Sequence, residues 1–393
     1  MRILLANFTK MIGDSGGLAK VNCAFANAMV ERGNEVAMVY SDDREGAFFF
    51  PVDARVKCYN LRHFRGQSIL FPVSLKIKRE VLRAIDVRKG RAVNNDFVIS
   101  NLKENVQAIL VEFSPDVIIA FQPASAMIYV SVLHVTIPVI CMSHGDPEDY
   151  FHTYDPRELP ALEKCAACQV LLPSFREHLL AHFPKVNISV IGNVVPQYET
   201  PANLAGKKET YKILFLGRLV KNHKRPHLLI EAFAQIANEF PNWQVELWGA
   251  EDKKSYTEAL QRLISKYHLG QCVFLRGSTH EVEKVLRTGD IFAFPSAYEG
   301  FGLSLAEAMS MGLPAVGYRK TVAVNELIVD GLNGFLCEDG VADFAAHLRQ
   351  LMEDHDLRIR MGKAARASVQ KYAAERIWKQ WEELIQEVCD ESS

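Results

Sequence analysis

The chain has 393 residues, of which 49% are hydrophobic and 23% are charged, and its formal net charge is −2. The composition is that of a globular protein, and the length predicts two domains. The near-neutral charge gives no basic signal, so we do not expect nucleic acid as a partner. The N-terminal run predicts a strand and not a signal peptide, and no stretch of about 18 apolar residues predicts a transmembrane helix.

Short apolar strands alternate with amphipathic segments, which predicts parallel α/β sheets. In chain order, the first half is predicted to hold a helix at 18–32 and strands at 3–6, 35–40, 116–121, 139–142, 169–172 and 188–191. The second half is predicted to hold helices at 226–239 and 256–267 and strands at 212–216, 244–248, 273–275, 291–294 and 315–318. Residues 196–210, with two prolines and no apolar periodicity in their sequence, separate the two halves.

The C-terminal part of the chain, residues 357–387, is a helical run with four apolar residues that predict a packing face: Ile377, Trp378, Trp381 and Leu384. The pattern predicts two doubly wound domains, which bind ligands at the carboxyl ends of their strands.

Metal ligands are sparse in this sequence. The eight cysteines are scattered, several in apolar runs that are typical of reduced core residues. Cys165 and Cys168 form a C-x-x-C pair, but no second pair follows at zinc spacing. The strict D-x-D pair of Asp354 and Asp356 lies far from the motifs described next. We therefore expect no metal and no cofactor.

The most informative stretch, residues 295–316, reads Pro-Ser-Ala-Tyr-Glu-Gly-Phe-Gly-Leu-Ser-Leu-Ala-Glu-Ala-Met-Ser-Met-Gly-Leu-Pro-Ala-Val. It places Glu299 and Glu307 eight positions apart across a glycine-rich turn that opens a helix. Such a turn lets backbone amides approach an anion. Since carboxylates there would repel a phosphate, we expect them to address hydroxyl groups beside it, as a nucleotide-sugar presents them. The alternative, an ordinary turn with Glu307 on a solvated face, is disfavoured by the combined pattern.

This stretch closely resembles the signature of the retaining glycosyltransferases of family 4, which have the GT-B fold. That signature often reads P-S-x-x-E-G-F-G-x-x-x-x-E-A-M-A-x-G-x-P-V-V. The resemblance implies that Glu299 lies against the donor sugar and that Glu307 binds the ribose hydroxyls. It also implies that the sugar and diphosphate meet the backbone of four residues, Gly300, Phe301, Gly302 and Leu303.

A basic loop follows the first strand of the second half. Fixed cations stabilise a departing diphosphate as its charge grows in the transition state. Family members commonly read G-R-L-x-x-x-K-G here, which implies donor binding by Gly217 and diphosphate roles for Arg218 and Lys224. The loop is one residue longer in this chain and Arg225 replaces the common glycine, so Lys221 competes with Lys224 for the role.

Three further positions carry weaker signals. Gly16 and Gly17 precede the first helix, where the family has a loop that approaches the donor. His144 follows the strand at 139–142, a place where many family members have a histidine close to a donor hydroxyl. Gly277 stands where the family often contacts the nucleobase. The run at 325–336 resembles another family pattern and supports the fold alone.

Residues 64–91 combine apolar side chains with a series of cations that includes Lys76, Lys78, Arg79, Arg83, Arg88, Lys89 and Arg91. A basic amphipathic helix can lie on an anionic membrane, whereas the alternative is a solvated charged face. We expect peripheral contact with an anionic membrane here, and a chain that is cytoplasmic or peripheral on the inner membrane face.

The resemblance implies a GT-B fold, with two Rossmann-like domains that face a central cleft. We expect an N-terminal acceptor-side domain at 1–195, a linker at 196–210 and a nucleotide-sugar domain at 211–370. Residues 371–393 are expected to form a helix that crosses back to pack on the N-terminal domain.

The function implied is a metal-independent retaining hexosyltransferase. It would move a hexose or N-acetylhexosamine from a nucleotide-sugar, UDP-linked by family habit, to a glycan or lipid-linked acceptor. The pathway expected is that of cell-surface polysaccharide or lipopolysaccharide. The alternatives are an inverting GT-B enzyme, a nucleotide-sugar 2-epimerase, a sugar phosphorylase of the same fold, or a non-enzymatic sugar-nucleotide sensor.

Overall fold

The computed structural model describes residues 1–391. The chain divides into two compact units. The first unit comprises Met1–Gly192 and the chain from Trp378 onward, and the second unit comprises Asn193–Ile377. Residues 196–210 form neither helix nor strand. The predicted domain boundaries stay a prediction.

The first unit is built on a parallel sheet of seven strands in the order β3-β2-β1-β6-β7-β8-β9. These strands are β1 (Arg2–Asn7), β2 (Glu35–Tyr40), β3 (Lys57–Asn60), β6 (Val117–Ala120), β7 (Val139–Met142), β8 (Ala167–Val170) and β9 (Ile188–Val190). A separate antiparallel hairpin consists of β4 (His63–Phe64) and β5 (Gln67–Ser68). The central strands are apolar and buried because helices cover both faces of such a sheet.

Seven α-helices connect these strands: α1 (Gly17–Glu31), α2 (Val73–Ile85), α3 (Val87–Phe97), α4 (Lys103–Phe113), α5 (Pro123–Met127), α6 (Tyr150–Thr153) and α7 (Pro173–His182). Short π-helices lie at Val98–Leu102 and Ile128–Val132, and 3₁₀ helices at Pro147–Asp149 and Leu159–Lys164. The side chain of Asp86 accepts a hydrogen bond from the backbone N–H of Arg88, so it caps α3 and ends the preceding helix.

The second unit is built on a parallel sheet of six strands in the order β12-β11-β10-β13-β14-β15. These strands are β10 (Tyr211–Leu216), β11 (Trp243–Trp248), β12 (Val273–Gly277), β13 (Ile291–Phe294), β14 (Ala315–Tyr318) and β15 (Gly334–Cys337). The strand order reverses between β10 and β13. Loops that leave such neighbouring strands in opposite directions open a crevice, where doubly wound sheets bind ligands.

Seven α-helices flank this sheet: α8 (Pro226–Ala234), α9 (Lys254–Lys266), α10 (Val282–Arg287), α11 (Leu303–Ser310), α12 (Val324–Leu327), α13 (Val341–Glu353) and α14 (His355–Ser368). Short 3₁₀ helices lie at Ala237–Glu239 and Gln370–Tyr372. The last helix, α15 (Ala374–Glu391), continues the chain into the first unit. There Trp378 and Trp381 pack edge-on against Phe25 of α1, with ring centroids 5.6 and 4.9 Å apart.

The structure confirms the predicted α/β class, and the strands at 139–142, 291–294 and 315–318 have the predicted bounds. Three predictions were wrong in detail. The strand expected at 169–172 is Ala167–Val170, and the helix expected at 226–239 ends at Ala234. The helical run at 357–387 is broken between α14 and α15, where Tyr372 turns inward against Phe301 with ring centroids 4.9 Å apart.

The predicted packing face of the last run is confirmed, since Ile377, Trp378, Trp381 and Leu384 are all buried. None of the helices within residues 1–391 is both long and apolar enough to cross a membrane.

Candidate active site

Two predicted site residues of the second unit, Lys224 and Glu299, meet at the strand switch point. The loop after β10 carries Lys224, and the loop after β13 carries Glu299. The Lys224 Nζ lies 2.5 Å from Glu299 Oε1, and it also stands 5.2 Å from the centre of the Phe294 ring. Glu299 is buried and Lys224 is partly exposed. The structure therefore brings a carboxylate and an ammonium group together at the place where a parallel sheet binds its ligand.

Two hydrogen bonds, each accepted by a backbone carbonyl, connect the segments that follow β10 and β13. The N–H of Ala297 donates to the carbonyl of His223 at 2.7 Å. The hydroxyl of Ser304, in the first turn of α11, donates to the carbonyl of Leu216 at 2.9 Å. These bonds fix the distance between the ends of β10 and β13, so the ion pair of Lys224 and Glu299 is set by backbone structure.

Arg225 has a structural task in this loop. Its backbone is left-handed, with a φ of 48°, a conformation that favours glycine. Its Nε donates to the carbonyl of Pro295 at 2.9 Å, and the guanidinium stacks 4.6 Å from the Tyr318 ring. The side chain therefore ties the two loops together and offsets the cost of the backbone.

The positions of the two lysines in this loop favour Lys224 over Lys221 for the diphosphate role. Lys221 is exposed, whereas Lys224 turns toward Glu299. Arg218 is also largely exposed, and its nearest carboxylate, Asp252, is 4.0 Å away. At that distance the pair is weak, so the Arg218 guanidinium remains available to an anion.

The glycine-rich turn opens α11. Gly302 is the N-cap residue and has a φ of 80°, a conformation that a side chain would strain. The ring of Phe301 is buried against Tyr372, so only the backbone of Phe301 can contribute to a site. The first amides of α11 have no partner within the helix, and they are oriented as an anion site requires.

Glu307 lies on α11 and is buried. It does not stand on a solvated face, so the ordinary-turn alternative was wrong on this point. The pKa of Tyr198 is raised by burial first and then by the negative charges of Glu307 and Glu283. Tyr198 therefore lies near Glu307, a proximity that its sequence context, an irregular segment, did not signal.

Three glycines of the second unit lie at or directly after the carboxyl ends of strands. A Cβ on Gly249, after β11, would stand 1.9 Å from the carbonyl oxygen of Gly217, so the backbones there approach too closely for any side chain. Gly277 ends β12 and accepts a hydrogen bond from the N–H of Gly249 at 2.8 Å. Gly217, Gly249 and Gly277 thus stand in a row along the carboxyl edge of the sheet.

The remaining predicted residues belong to the first unit. Gly16 is the N-cap of α1, which begins at Gly17, and the N–H of Gly16 donates to Asp14 Oδ1 at 2.8 Å. His144 follows β7 and stacks on Phe121, with ring centroids 5.4 Å apart. Its Nε2 is buried and has no hydrogen-bond partner among residues 1–391. Burial lowers the pKa of His144 to about 4, so the ring is neutral at pH 7.

One group of side chains in the described part of the chain has the proximity that metal ligands need: Cys337, Asp343 and His347. The Cys337 Sγ lies 3.5 Å from His347 Nδ1, and that same nitrogen lies 2.9 Å from the carbonyl oxygen of Asp343. Burial raises the pKa of Cys337, which opposes the thiolate that a metal requires. In the D-x-D pair, Asp354 accepts a hydrogen bond from the N–H of Leu357 and caps α14.

Comparison with known proteins identifies the family. Residues 197–368, which contain every second-unit residue of the site, match the family model described as Glycosyl transferases group 1. An uncharacterized glycosyltransferase of Haemophilus influenzae is 23% identical over 386 residues, which cover 96% of this chain and 98% of that protein. Over residues 197–368 the chain matches the glycosyl transferases group 1.

This glycosyltransferase is similar to two further proteins over most of its length. The amylovoran biosynthesis glycosyltransferase AmsD of Erwinia amylovora is 24% identical over 382 residues, which cover 95% of this chain and 97% of AmsD. A TarM variant from S. aureus, in complex with fondaparinux, α-GlcNAc-glycerol and UDP, is 18% identical with a TM-score of 0.76. That match covers 98% of this chain and 100% of TarM, and it confirms the GT-B fold. Together these matches confirm the prediction of a glycosyltransferase of family 4.

The low pKa of His144 generates a prediction on stability. In the unfolded chain the imidazole has its ordinary pKa of about 6.5. Since the folded pKa is about 4, the unfolded state binds a proton near pH 5 that the folded state does not. The stability of the fold that depends on a neutral His144 ring is therefore fully present above pH of about 6.5 and is lost as the pH falls toward 4. We expect the His144→Gln variant to take up about one proton fewer than wild type on unfolding at pH 5. Urea unfolding between pH of about 4 and about 6.5 measures this difference.

The exposed His152 of the same unit provides the matched control, as His152→Gln. An unchanged pH dependence in His144→Gln, or an equal change in His152→Gln, would contradict the account of a neutral buried ring.

Proposed function

We propose that this enzyme transfers a hexose or N-acetylhexosamine from a UDP-sugar to a glycan or lipid-linked acceptor, with retention of the anomeric configuration. The observation that carries the proposal is the contact of Lys224 with Glu299 at the end of β10 and β13. UDP is present in the TarM structure, and AmsD acts in amylovoran biosynthesis. These likenesses support a UDP donor and a pathway of cell-surface polysaccharide or lipopolysaccharide.

The donor is assigned to the second unit as follows. Glu307, buried on α11, accepts hydrogen bonds from the ribose hydroxyls. The diphosphate lies at the N-terminus of α11, against the backbone of 300–303, where unpaired amides favour negative charge. Glu299 accepts a hydroxyl of the sugar. Gly217 and Gly277, without side chains, leave room along the strand ends for the nucleotide.

Arg218 and Lys224 address the leaving group. Lys224 forms an ion pair with Glu299, and this pair keeps both side chains in place. When donor binds, the ammonium group is shared with the diphosphate, and Glu299 is released to the sugar hydroxyl. Because the diphosphate gains charge as its bond to the sugar breaks, these cations stabilise the transition state more than the ground state.

The chemical step proposed is the same-face attack that the resemblance to family 4 implies. The acceptor oxygen forms a bond to the anomeric carbon on the face that the diphosphate leaves. The bond from that carbon to the diphosphate breaks, and its electron pair goes to the diphosphate. The acceptor proton passes to a diphosphate oxygen, so no protein nucleophile is needed. His144, Gly16 and Gly17 of the first unit are assigned to the donor sugar and phosphate, and the neutral His144 ring suits a hydroxyl partner.

A membrane-facing role is proposed for helix α2. Four of its apolar side chains, Val73, Ile77, Val81 and Ile85, are spaced by four residues and are 57–71% exposed. That spacing places them on one face. Lys76 and Lys78 flank the stripe, so it is both apolar and cationic. We expect this face to lie on an anionic membrane surface, where a lipid-linked acceptor would be presented.

The lysine pair of the basic loop provides a matched test of the donor site. Lys224→Gln keeps a hydrogen-bond donor for Glu299 but removes the charge, so we expect the fold to persist. The release of UDP from UDP-glucose, UDP-galactose or UDP-N-acetylglucosamine should slow about 10²- to 10³-fold, the scale for loss of one transition-state contact. Lys221→Gln, an equal change in the same loop, should stay within about twofold.

If Lys221→Gln were the slower variant, the diphosphate would be held by the other lysine. If both variants released UDP at the wild-type rate, the leaving-group assignment would be wrong.

The membrane face of α2 is tested with vesicles. We expect the full chain to sediment with phosphatidylglycerol vesicles and not with neutral phosphatidylcholine vesicles. Ile77→Asp with Val81→Asp should weaken this binding more than tenfold, because each apolar side chain contributes about 1.5–3 kcal/mol when buried. Val111→Asp is the control, since Val111 of α4 is 80% exposed in the same unit but outside the stripe. Equal loss in the control would contradict the proposal.

A further inference from the structure

The first unit contains a cavity of about 380 Å³ at the carboxyl edge of its sheet. Phe8 and Thr9 follow β1, Ser41 follows β2, and Gln122 follows β6. The remaining walls come largely from helices α2 and α3. The strand order reverses between β1 and β6, so this cavity occupies the ligand position of a doubly wound sheet. Its volume is in the range of small-molecule sites.

The charge of the lining is one-sided. Five cations line the cavity: Lys10, Arg62, Arg79, Arg83 and Arg91. None of the lining residues is Asp or Glu. Three carboxylates outside the lining, Asp43, Glu80 and Glu158, serve as partners for these five cations. Since five cations share three carboxylates, the cavity keeps an excess of positive charge that a bound anion would balance.

Arg62 is the most enclosed of these cations, with a side chain only 11% exposed. Its Nε donates to the Ser41 hydroxyl at 2.9 Å, and its guanidinium stands 5.6 Å from the Phe71 ring and 5.2 Å from the Phe97 ring. Burial lowers the pKa of Arg62, the negative charge of Asp42 opposes this, and the positive charge of Arg79 adds to it. An anion between Arg62 and Arg79 would relieve that repulsion.

The rest of the lining suits a sugar. Phe8, Phe71 and Phe97 offer apolar ring surface, whereas the amides of Asn94 and Gln122 can exchange hydrogen bonds with hydroxyl groups. Polar amides beside aromatic rings and cations describe a glycan with a charged substituent better than they describe a free inorganic ion.

We propose that this cavity binds a phosphate or carboxylate group carried by the acceptor glycan. Arg79 and Arg83 of α2, together with Arg62, hold the anion. The inference rests on the transferase function proposed above and adds the class of its acceptor. A neutral acceptor would leave the cations unmatched, so the cavity selects charged glycans.

The test is calorimetric titration of the full chain, saturated with UDP, with three probes that differ in charge. Geranyl diphosphate represents a lipid-linked phosphate, methyl glucuronide represents a carboxylated sugar, and methyl glucoside is the neutral reference. We expect at least one anionic probe to bind at least tenfold more tightly than methyl glucoside, and we expect salt to weaken that binding. The anion that binds more tightly identifies the source of the charge.

The variant Arg79→Gln with Arg83→Gln should weaken the preferred anion at least tenfold and leave UDP affinity unchanged. Arg88→Gln is the matched control, because Arg88 lies on α3 and pairs with Asp86 outside the lining. Equal weakening in Arg88→Gln, or no preference for either anion while UDP binds, would overturn this proposal alone. Failure of the wild-type chain to bind UDP would overturn the transferase proposal and this one together.

Discussion

The close approach of two loops at the strand switch point of the second sheet determines the geometry of the candidate active site. The loops after β10 and β13 are joined by backbone hydrogen bonds and by Arg225, which reaches from one to the carbonyl oxygens of the other. This approach brings Lys224 to within 2.5 Å of Glu299. A buried carboxylate needs such a partner, since an uncompensated charge there costs several kcal/mol. The ammonium group that compensates the buried Glu299 carboxylate is therefore the one that a bound donor would share through its diphosphate.

Each unit presents positive charge where its parallel sheet ends, but in a different form. In the second unit the charge is sparse, with Lys224, the more exposed Arg218 and the N-terminus of α11 near two buried carboxylates. In the first unit the lining of the cavity holds five cations and no carboxylate. This difference fits two different ligands. The second unit would bind a nucleotide-sugar, whose hydroxyls lie beside its diphosphate, and the first unit would bind an acceptor through the negative charge of that acceptor. Helix α2 would take part in both acceptor binding and membrane contact, because two of its cations line the cavity and its apolar stripe is exposed.

Much of the fold follows from local sequence. The strands at 291–294 and 315–318 are short apolar runs between turn residues, and such runs have few alternatives. The break before α15 had no such signal, because no proline or glycine marks it; it arises from the packing of Tyr372 against Phe301. In the site, the motif predicted Glu299 and Glu307, but it left Lys221 and Lys224 as competing candidates, and the contact of Lys224 with Glu299 appears only in the folded chain. The cavity of the first unit was also hidden, since its cations extend from Lys10 to Arg91 and only folding gathers them.

The central claim is that the switch point of the second sheet binds a nucleotide through Glu307. The most direct measurement is the thermal shift of the full chain with UDP, GDP, ADP and CDP, for wild type and for Glu307→Ala. We predict that UDP alone raises the melting temperature of wild type, by the equivalent of about 2.7 kcal/mol at 100 times its dissociation constant, and that Glu307→Ala loses most of that shift. No shift with any nucleotide, or an undiminished UDP shift in Glu307→Ala, would contradict the account.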